Sequence, residues 1–359
     1  MSSRERYLAT LRGDPLDRFF RYEHGPWPTT HERWLADGLP SNITWEQHCR
    51  MDPVARIMIN SGYCDSPYHP KFEQITQQRT AEYHIYTDSD GILKKELAEH
   101  YDTSMPEFLR FPVSSRADWD VICQRLNPDD AAARITNVEH WAAQCADLTV
   151  PTVLPICGVY GHPRNLLGPE NLAYLIYDDP ALLEEILDNW RDLYVALLRE
   201  LTRRVRVDVL LIWEDMCYKN GPLIDPAQFR RFMSPRYTAV IDAARACGVE
   251  GVLVDTDGDC HSMIPVFLDS GADSIMPFEV QAGMDVVRLR REFPTLAIMG
   301  GIDKRALAVD RAAIRAEVDR VLPHFVGHSR FFPTLDHTVP PDVSYDNFQY
   351  YLECVRRYE

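Results

Sequence analysis

Acids and histidines recur just past the apolar, β-prone runs of this 359-residue chain. VDVLLIW ends in Glu214-Asp215, VEGVLV in Asp255-Thr256-Asp257-Gly258-Asp259, SIMPF in Glu279, LAIMGGI in Asp303-Lys304 and SRFFPTL in Asp336-His337. Carboxylate and imidazole are the groups that hold divalent metals and move protons near neutral pH. Asp255 closes a wholly apolar run, where an unpaired carboxylate is costly, so it requires a cation, a donor or a proton. Neighbours on an extended chain point to opposite sides, and of Glu214 and Asp215 it is Glu214 that we assign to the interior. Lys219 and Asn220 follow in the same loop, where Lys219 either neutralises Glu214 or touches a substrate. His337 lies among Pro333, Pro340 and Pro341, which stiffen its loop, and suits a metal ligand or a general acid/base. Tyr160, in the Cys157-to-Arg164 stretch, is either a proton donor or a rim aromatic; Gly158 and Gly161 beside it would let a ligand approach the backbone. That stretch lacks the Gly-Lys-Ser/Thr ending of a phosphate loop. The Asp255 cluster is not a calcium loop either, because glycine falls at its fourth position and Val266 stands where glutamate is needed. Asp259 reads as a turn residue before a helix, and Cys260-His261 as structural.

Short β runs that end in polar clusters and alternate with single helices need parallel crossovers. This is the pattern of an α/β (β/α)8 TIM barrel, whose chemistry gathers on the loops after the strands. Strands are predicted at Arg18 to Tyr22, Thr152 to Ile156, Val207 to Trp213, Gly251 to Val254, Asp273 to Met276, Leu296 to Met299 and Arg330 to Thr334. A first helix over Ser2 to Leu11 has a capping box in Ser2 and Glu5 and stops at Gly13 and Pro15. Further helices are predicted over 30–37, 171–177, 180–205, 226–247, 263–270, 286–293, 311–325 and 345–357. Residues 41–150 are the least regular. Within them Tyr83 to Leu97 reads as a hairpin, with Asp90-Gly91 supplying positive φ. We expect one domain over 1–359, with an N-terminal insertion at 41–150 that covers part of the barrel mouth.

Lys plus Arg total 38 against 54 Asp plus Glu, a formal net charge of -16. Such a surface repels nucleic acid and anionic membrane, and no basic block offsets it. The nine cysteines form no C-x-x-C pair and several fall inside apolar patterns, as expected of reduced thiols in a cytoplasmic protein. No signal peptide is expected at the N-terminus, and no stretch reaches the ~18 apolar residues of a membrane span.

Several longer motifs then stand out: GGIDKRAL at 300–307, DHTVPPDVS at 336–344, EDMCYKNGPLI at 214–224, AGMD at 282–285, the opening SRERYLATLRG, and Trp27…Trp34…Gly38-Leu39-Pro40. Together they resemble the uroporphyrinogen decarboxylase superfamily, which holds decarboxylases, corrinoid-dependent zinc methyltransferases acting on thiols, and uncharacterised members, to which this chain looks closest. By position, the His-x-Cys and Cys metal ligands of those methyltransferases match Asp255-x-Asp257 and His337. Two oxygens and one nitrogen make a harder site, suited to zinc, manganese or iron(II), with Glu214 as a further ligand. The decarboxylases resemble this chain at Tyr160 and His337, but their arginine-rich loop is here Arg21-Tyr22-Glu23-His24-Gly25-Pro26-Trp27. One arginine and an added acid oppose a polycarboxylate tetrapyrrole. The resemblance therefore implies methyl transfer or removal on a small molecule, with a corrinoid or pterin carrier, Tyr160 or Glu23 moving the proton, and a homodimer; a corrinoid protein is the partner it suggests. Arg21, Trp27, Arg164, Lys219, Asn220 and Glu279 are the expected substrate contacts. The alternatives are a cofactor-free decarboxylase of a small acid or porphyrinogen-like compound, which uses Arg21 and Arg164 for the carboxylate and His337 or Tyr160 for protonation, and a non-catalytic ligand-binding barrel.

Overall fold

The structure is a computed structural model that describes residues 1–63, 65–99, 105–327 and 330–359. At its centre is a parallel seven-stranded sheet. Its strands are β1 (Ala55–Arg56), β2 (Thr152–Cys157), β3 (Val209–Trp213), β4 (Gly251–Asp255), β5 (Ser274–Met276), β6 (Ala297–Met299) and β7 (Phe331–Phe332). Spatial order equals chain order, and each strand pairs in parallel with the next, as in Val153↔Val209 and Leu253↔Ser274. Alternate side chains divide between two cores. Val153, Val209, Leu211, Leu253, Met299 and Phe332 meet in one inner cluster. Their neighbours Leu154, Leu210, Ile212, Val252, Ile298 and Phe331 join the outer core beneath the helices. One sheet whose inner residues all meet each other must be curled. Because both faces are buried, its strands read as continuous apolar runs and not as alternation.

Helix α1 (Ser3–Arg12) carries the expected capping box: the Glu5 amide donates to Ser2 Oγ at 3.2 Å and the Ser2 amide to Glu5 Oε2 at 2.7 Å. Its Tyr7, Leu8 and Leu11 complete the inner cluster and seal it at the N-terminal ends of the strands. Around the outside lie, among others, α2 (Pro28–Ala36), α3 (Gly161–Leu167), α4 (Pro180–Leu201), α5 (Ser234–Ala246) and α6 (Tyr345–Arg356). Trp34 of α2 stacks on Phe348 of α6 with ring centroids 4.6 Å apart, which ties the N-terminal segment to the C-terminal helix.

Three sequence expectations need correction. Residues 18–22 form no ladder; the Asp52 carboxylate holds them by accepting from the Arg18 guanidinium and the Arg21 amide. They nevertheless alternate, with Phe20 in the inner cluster and Phe19 in the outer core. The helix predicted over 226–247 is broken into Pro226–Gln228, a wide turn at Phe229–Met233, and α5. Pro235 has no amide to donate into the ladder, so the preceding turn widens.

Residues 41–150 are also more than an insertion, since they supply β1, the edge strand of the main sheet. Beyond β1 comes a four-stranded antiparallel sheet of Ile75–Arg79, Tyr83–Thr87, Leu93–Leu97 and Glu107–Arg110. It grows from the connection that leaves the C-terminal end of β1. The predicted hairpin is its middle pair, but only Gly91 has positive φ, at 76°. The Asp88 carboxylate closes the loop by accepting the Asp90 and Ile92 amides, each at 2.9 Å. Farther on, Trp119, Ile122 and Leu126 pack into the outer core that also holds α4. No helix among the described residues is long and apolar enough to cross a membrane. The eight described cysteines are free thiols; Cys64 lies outside the described residues.

Candidate metal centre

Three of the polar strand ends converge. Asp257 follows β4, Glu279 follows β5 and His337 follows β7, and one ligand atom from each lies within 4.8 Å of the others. His337 Nε2 stands 3.6 Å from Asp257 Oδ2. That contact raises the pKa of His337 against the effect of burial. Burial pushes the Asp257 carboxyl up, but the His337 contact and charge, with Lys304, outweigh it and hold Asp257 below the usual carboxylate range. Glu279 is fixed by the Gly258 amide, which donates to its Oε2 at 3.0 Å. Lys304 Nζ lies 3.7 Å from both Glu279 and Asp336. Asp336 points away from its neighbour His337 and is buried. It accepts the Val280 amide at 2.9 Å and the Lys304 amide at 3.0 Å, joining the loops after β5, β6 and β7.

Asp255 and Asp257 do not act as a pair. Asp255 ends β4 and lies outside the converging group. Burial, reinforced by the charges of Asp257 and Asp215, pushes its carboxyl up to about 8. Two residues that sequence reasoning passed over share this region. His24 stacks near His337 with ring centroids 6.5 Å apart, and its Nε2 is buried with no hydrogen-bond partner. Burial and the His337 charge hold its pKa down to about 3, so its ring is neutral. Arg56 ends β1 and donates to the Tyr22 hydroxyl. The available signal was the alternation of 20–24, which puts Phe20, Tyr22 and His24 on one side.

The other expected site residues take different positions. Glu214 is fully buried; it accepts the Val159, Tyr160 and Gly161 amides at 3.0, 2.8 and 3.3 Å. A Cβ on Gly158 would sit 2.2 Å from its carboxyl carbon. Burial pushes Glu214 up to about 7 against those three donors. It therefore caps the start of α3, and Lys219, exposed with Asn220 on a hairpin tip, does not neutralise it. Tyr160 is buried beside it, and burial raises its hydroxyl to about 12. Arg164 is held by Asp215 at 2.7 Å and lies over the Trp213 ring at 5.1 Å. Arg21 faces outward by strand alternation and pairs with Glu359 at 2.9 Å. Trp27 precedes α2, and its amide donates to Val339 at 3.1 Å, beside the His337 loop.

Glu23 is a buried tie between chain segments. The Tyr351 hydroxyl donates to Oε1 at 2.7 Å and the Leu335 amide to Oε2 at 3.0 Å. Burial pushes its carboxyl up to about 8, with both bonds opposing. We expect Glu23→Ala to cost about 3 kcal/mol, because two buried donors lose their acceptor, and Glu23→Gln only about 1 kcal/mol. A raised acid pKa means that the folded state keeps a proton the unfolded state has released. Stability should therefore fall as pH rises from the ordinary glutamate range to about 8. Urea denaturation across pH checks this: the slope in that window should be shallower in Glu23→Gln than in wild type, the remainder coming from Glu214 and Asp255, whose carboxyls burial also raises.

Two carboxylates and one imidazole, half-buried and mutually close, fit a divalent cation of hard to borderline character. The orphaned His24 Nε2 next to them marks where a further polar group would be received.

Comparison with known proteins agrees with this architecture. The sequence model of uroporphyrinogen decarboxylase (URO-D) matches residues 103–358. A uroporphyrinogen decarboxylase of Thermus thermophilus is 22% identical over 222 residues, covering 56% of this chain and 60% of that protein. One from Hydrogenobaculum sp. is 29% identical over 89 residues, 25% of each chain. The chain thus spans less than two thirds of these relatives. In three dimensions it is similar to a methyltransferase from Methanosarcina mazei, with a TM-score of 0.66 and 15% identity over 99% of both chains, which supports the fold. With the family match running over most of its length, from the last antiparallel strand to the C-terminal helix, the chain belongs to the uroporphyrinogen decarboxylase family.

Proposed function

We propose that this protein is a metal-dependent enzyme that transfers or removes a methyl group on a small molecule at the C-terminal ends of its parallel strands. The observation that carries the reading is the convergence of Asp257, Glu279 and His337 from three different strand ends. In this reading residues 18–22 complete a (β/α)8 barrel, and the antiparallel sheet after β1 shields its mouth. Asp257, Glu279 and His337 hold the metal, with zinc, manganese and iron(II) all compatible with the donor set. When bound, a divalent cation supplies Lewis acidity to an acceptor or leaving atom. His24 offers a neutral ring nitrogen to a polar group of the substrate, and Asp336 and Lys304 fix the loops that carry the ligands. The methyl carbon would leave one heteroatom for an acceptor that supplies the electron pair, a cobalt(I) corrinoid or a pterin nitrogen, and the released heteroatom would take a proton, from solvent in the first case and from the pterin N–H in the second.

Metal analysis after exhaustive dialysis tests the reading, combined with methyl transfer from small methylated donors to cob(I)alamin. We expect near-stoichiometric divalent metal and turnover that a chelator removes. Metal-free protein that releases carbon dioxide from a small acid would instead favour a cofactor-free decarboxylase; the relatives are named as decarboxylases of uroporphyrinogen. Arg21 and Arg164 are poorly placed for that role, since Glu359 and Asp215 already neutralise them.

A further inference from the structure

Cations around the parallel sheet are nearly all compensated. Arg164 is paired with Asp215, Lys304 lies between Glu279 and Asp336, Arg21 is on Glu359 and Arg18 on Asp52. Arg56 differs. It has no carboxylate within 4.0 Å among the described residues, and its protein partner is the Tyr22 hydroxyl, with the guanidinium 5.9 Å from that ring. It is half-buried at the end of β1 and sits over an apolar floor that includes Val153, Leu211, Leu253 and Met299. Asp255, which faces the same inner cluster, is the acid that acts on Arg56 from a distance; a desolvated guanidinium with no carboxylate in contact is costly, and a planar anion is what its fork of N–H groups matches. Tyr22 accepts from Arg56, which leaves its own O–H as a donor. The Tyr22 ring meets His24 edge-on at 5.7 Å, and His24 stacks near His337. A continuous wall therefore runs from the guanidinium to the metal ligands.

We propose that Arg56 and Tyr22 together bind the carboxylate of a small monoanionic substrate, holding its other end toward Asp257, Glu279 and His337. The proposal deepens the functional reading above and rests on it for the word substrate. Carboxylate binding itself can be measured without any metal.

The test is saturation-transfer NMR with propionate and with propionamide as probes, on chelator-treated and on metal-loaded protein. Propionate should bind the chelated wild type, and propionamide should give at least fivefold less signal. Arg56→Gln should lose the propionate signal, and Tyr22→Phe should weaken it severalfold. His337→Ala should lose metal and retain the propionate signal, which separates this arm from the metal reading: a wild type that holds no metal yet binds propionate overturns only the latter. Propionate binding unchanged in Arg56→Gln, or no preference for propionate over propionamide, overturns the proposal. If circular dichroism shows Arg56→Gln unfolded, Tyr22→Phe decides alone, and an unchanged propionate signal there counts against it.

Discussion

Replacing Glu279 by alanine should strip the protein of metal as fully as replacing His337, each lowering affinity by about 100-fold or more. Asp257→Ala should do the same, because one ligand atom from each of the three lies within 4.8 Å of the others. Asp255→Ala should change affinity by less than about tenfold, since its carboxyl lies outside that group and burial keeps it protonated near neutral pH. Chelator competition measured on the four variants decides between the two ligand sets. Metal retained in Glu279→Ala but lost in Asp255→Ala would restore the set implied by the sequence motifs alone, Asp255, Asp257 and His337.

That contrast shows where sequence reading stopped. Apolar runs ending in acids located the strand ends, and with them Asp257, Glu279 and His337, because strand parity and crossover order are local properties. What sequence could not assign was direction beyond the last paired residue. Asp255 is still in β4 and faces the inner cluster, whereas Asp257 is released by the turn at Gly258. Glu214 looked equivalent, yet the close approach of Gly158 turns it onto the amides of α3. Residues 18–22 kept strand-like alternation without strand bonding, so Arg21, chosen for its charge, faces out, and Tyr22 and His24 were overlooked. The antiparallel sheet was legible only as one hairpin, since its flanking strands Ile75–Arg79 and Glu107–Arg110 are exposed and carry no core pattern.

Gly300→Ala should be among the most damaging single substitutions outside the metal ligands. Gly300 has φ 117°, and an added Cβ would lie 1.8 Å from the backbone oxygen of Pro277. Gly301 follows with φ 81°, its Cβ position 2.1 Å from Val286 Cγ1. Neither contact is with a flexible chain end, so β6 and the loop after β5 must separate to admit a methyl group. We expect a loss of more than about 4 kcal/mol, read as a lowered urea midpoint or failure to accumulate folded protein. A variant within 1 kcal/mol of wild type would show that the Gly300-Gly301 turn yields more easily than its contacts imply. The damage should reach the site, because the same turn delivers Lys304 to Glu279 and Asp336.

The buried carboxylate of Asp336 has a consequence for how the mouth works. By accepting one amide from the loop after β5 and one from the loop after β6, it binds three successive loops into a single body. The side of the mouth that carries Glu279, Lys304 and His337 therefore spends little conformational entropy when a ligand arrives. The opposite side, built on Arg56 and the long connection leaving β1, is tied in its own way: the buried Arg134 guanidinium donates to the Pro67, Asn127 and Arg125 carbonyls, and the Tyr194 hydroxyl donates to the Ser61 carbonyl. Both halves of the rim are thus set before a ligand arrives, so its binding should reorder little of the backbone.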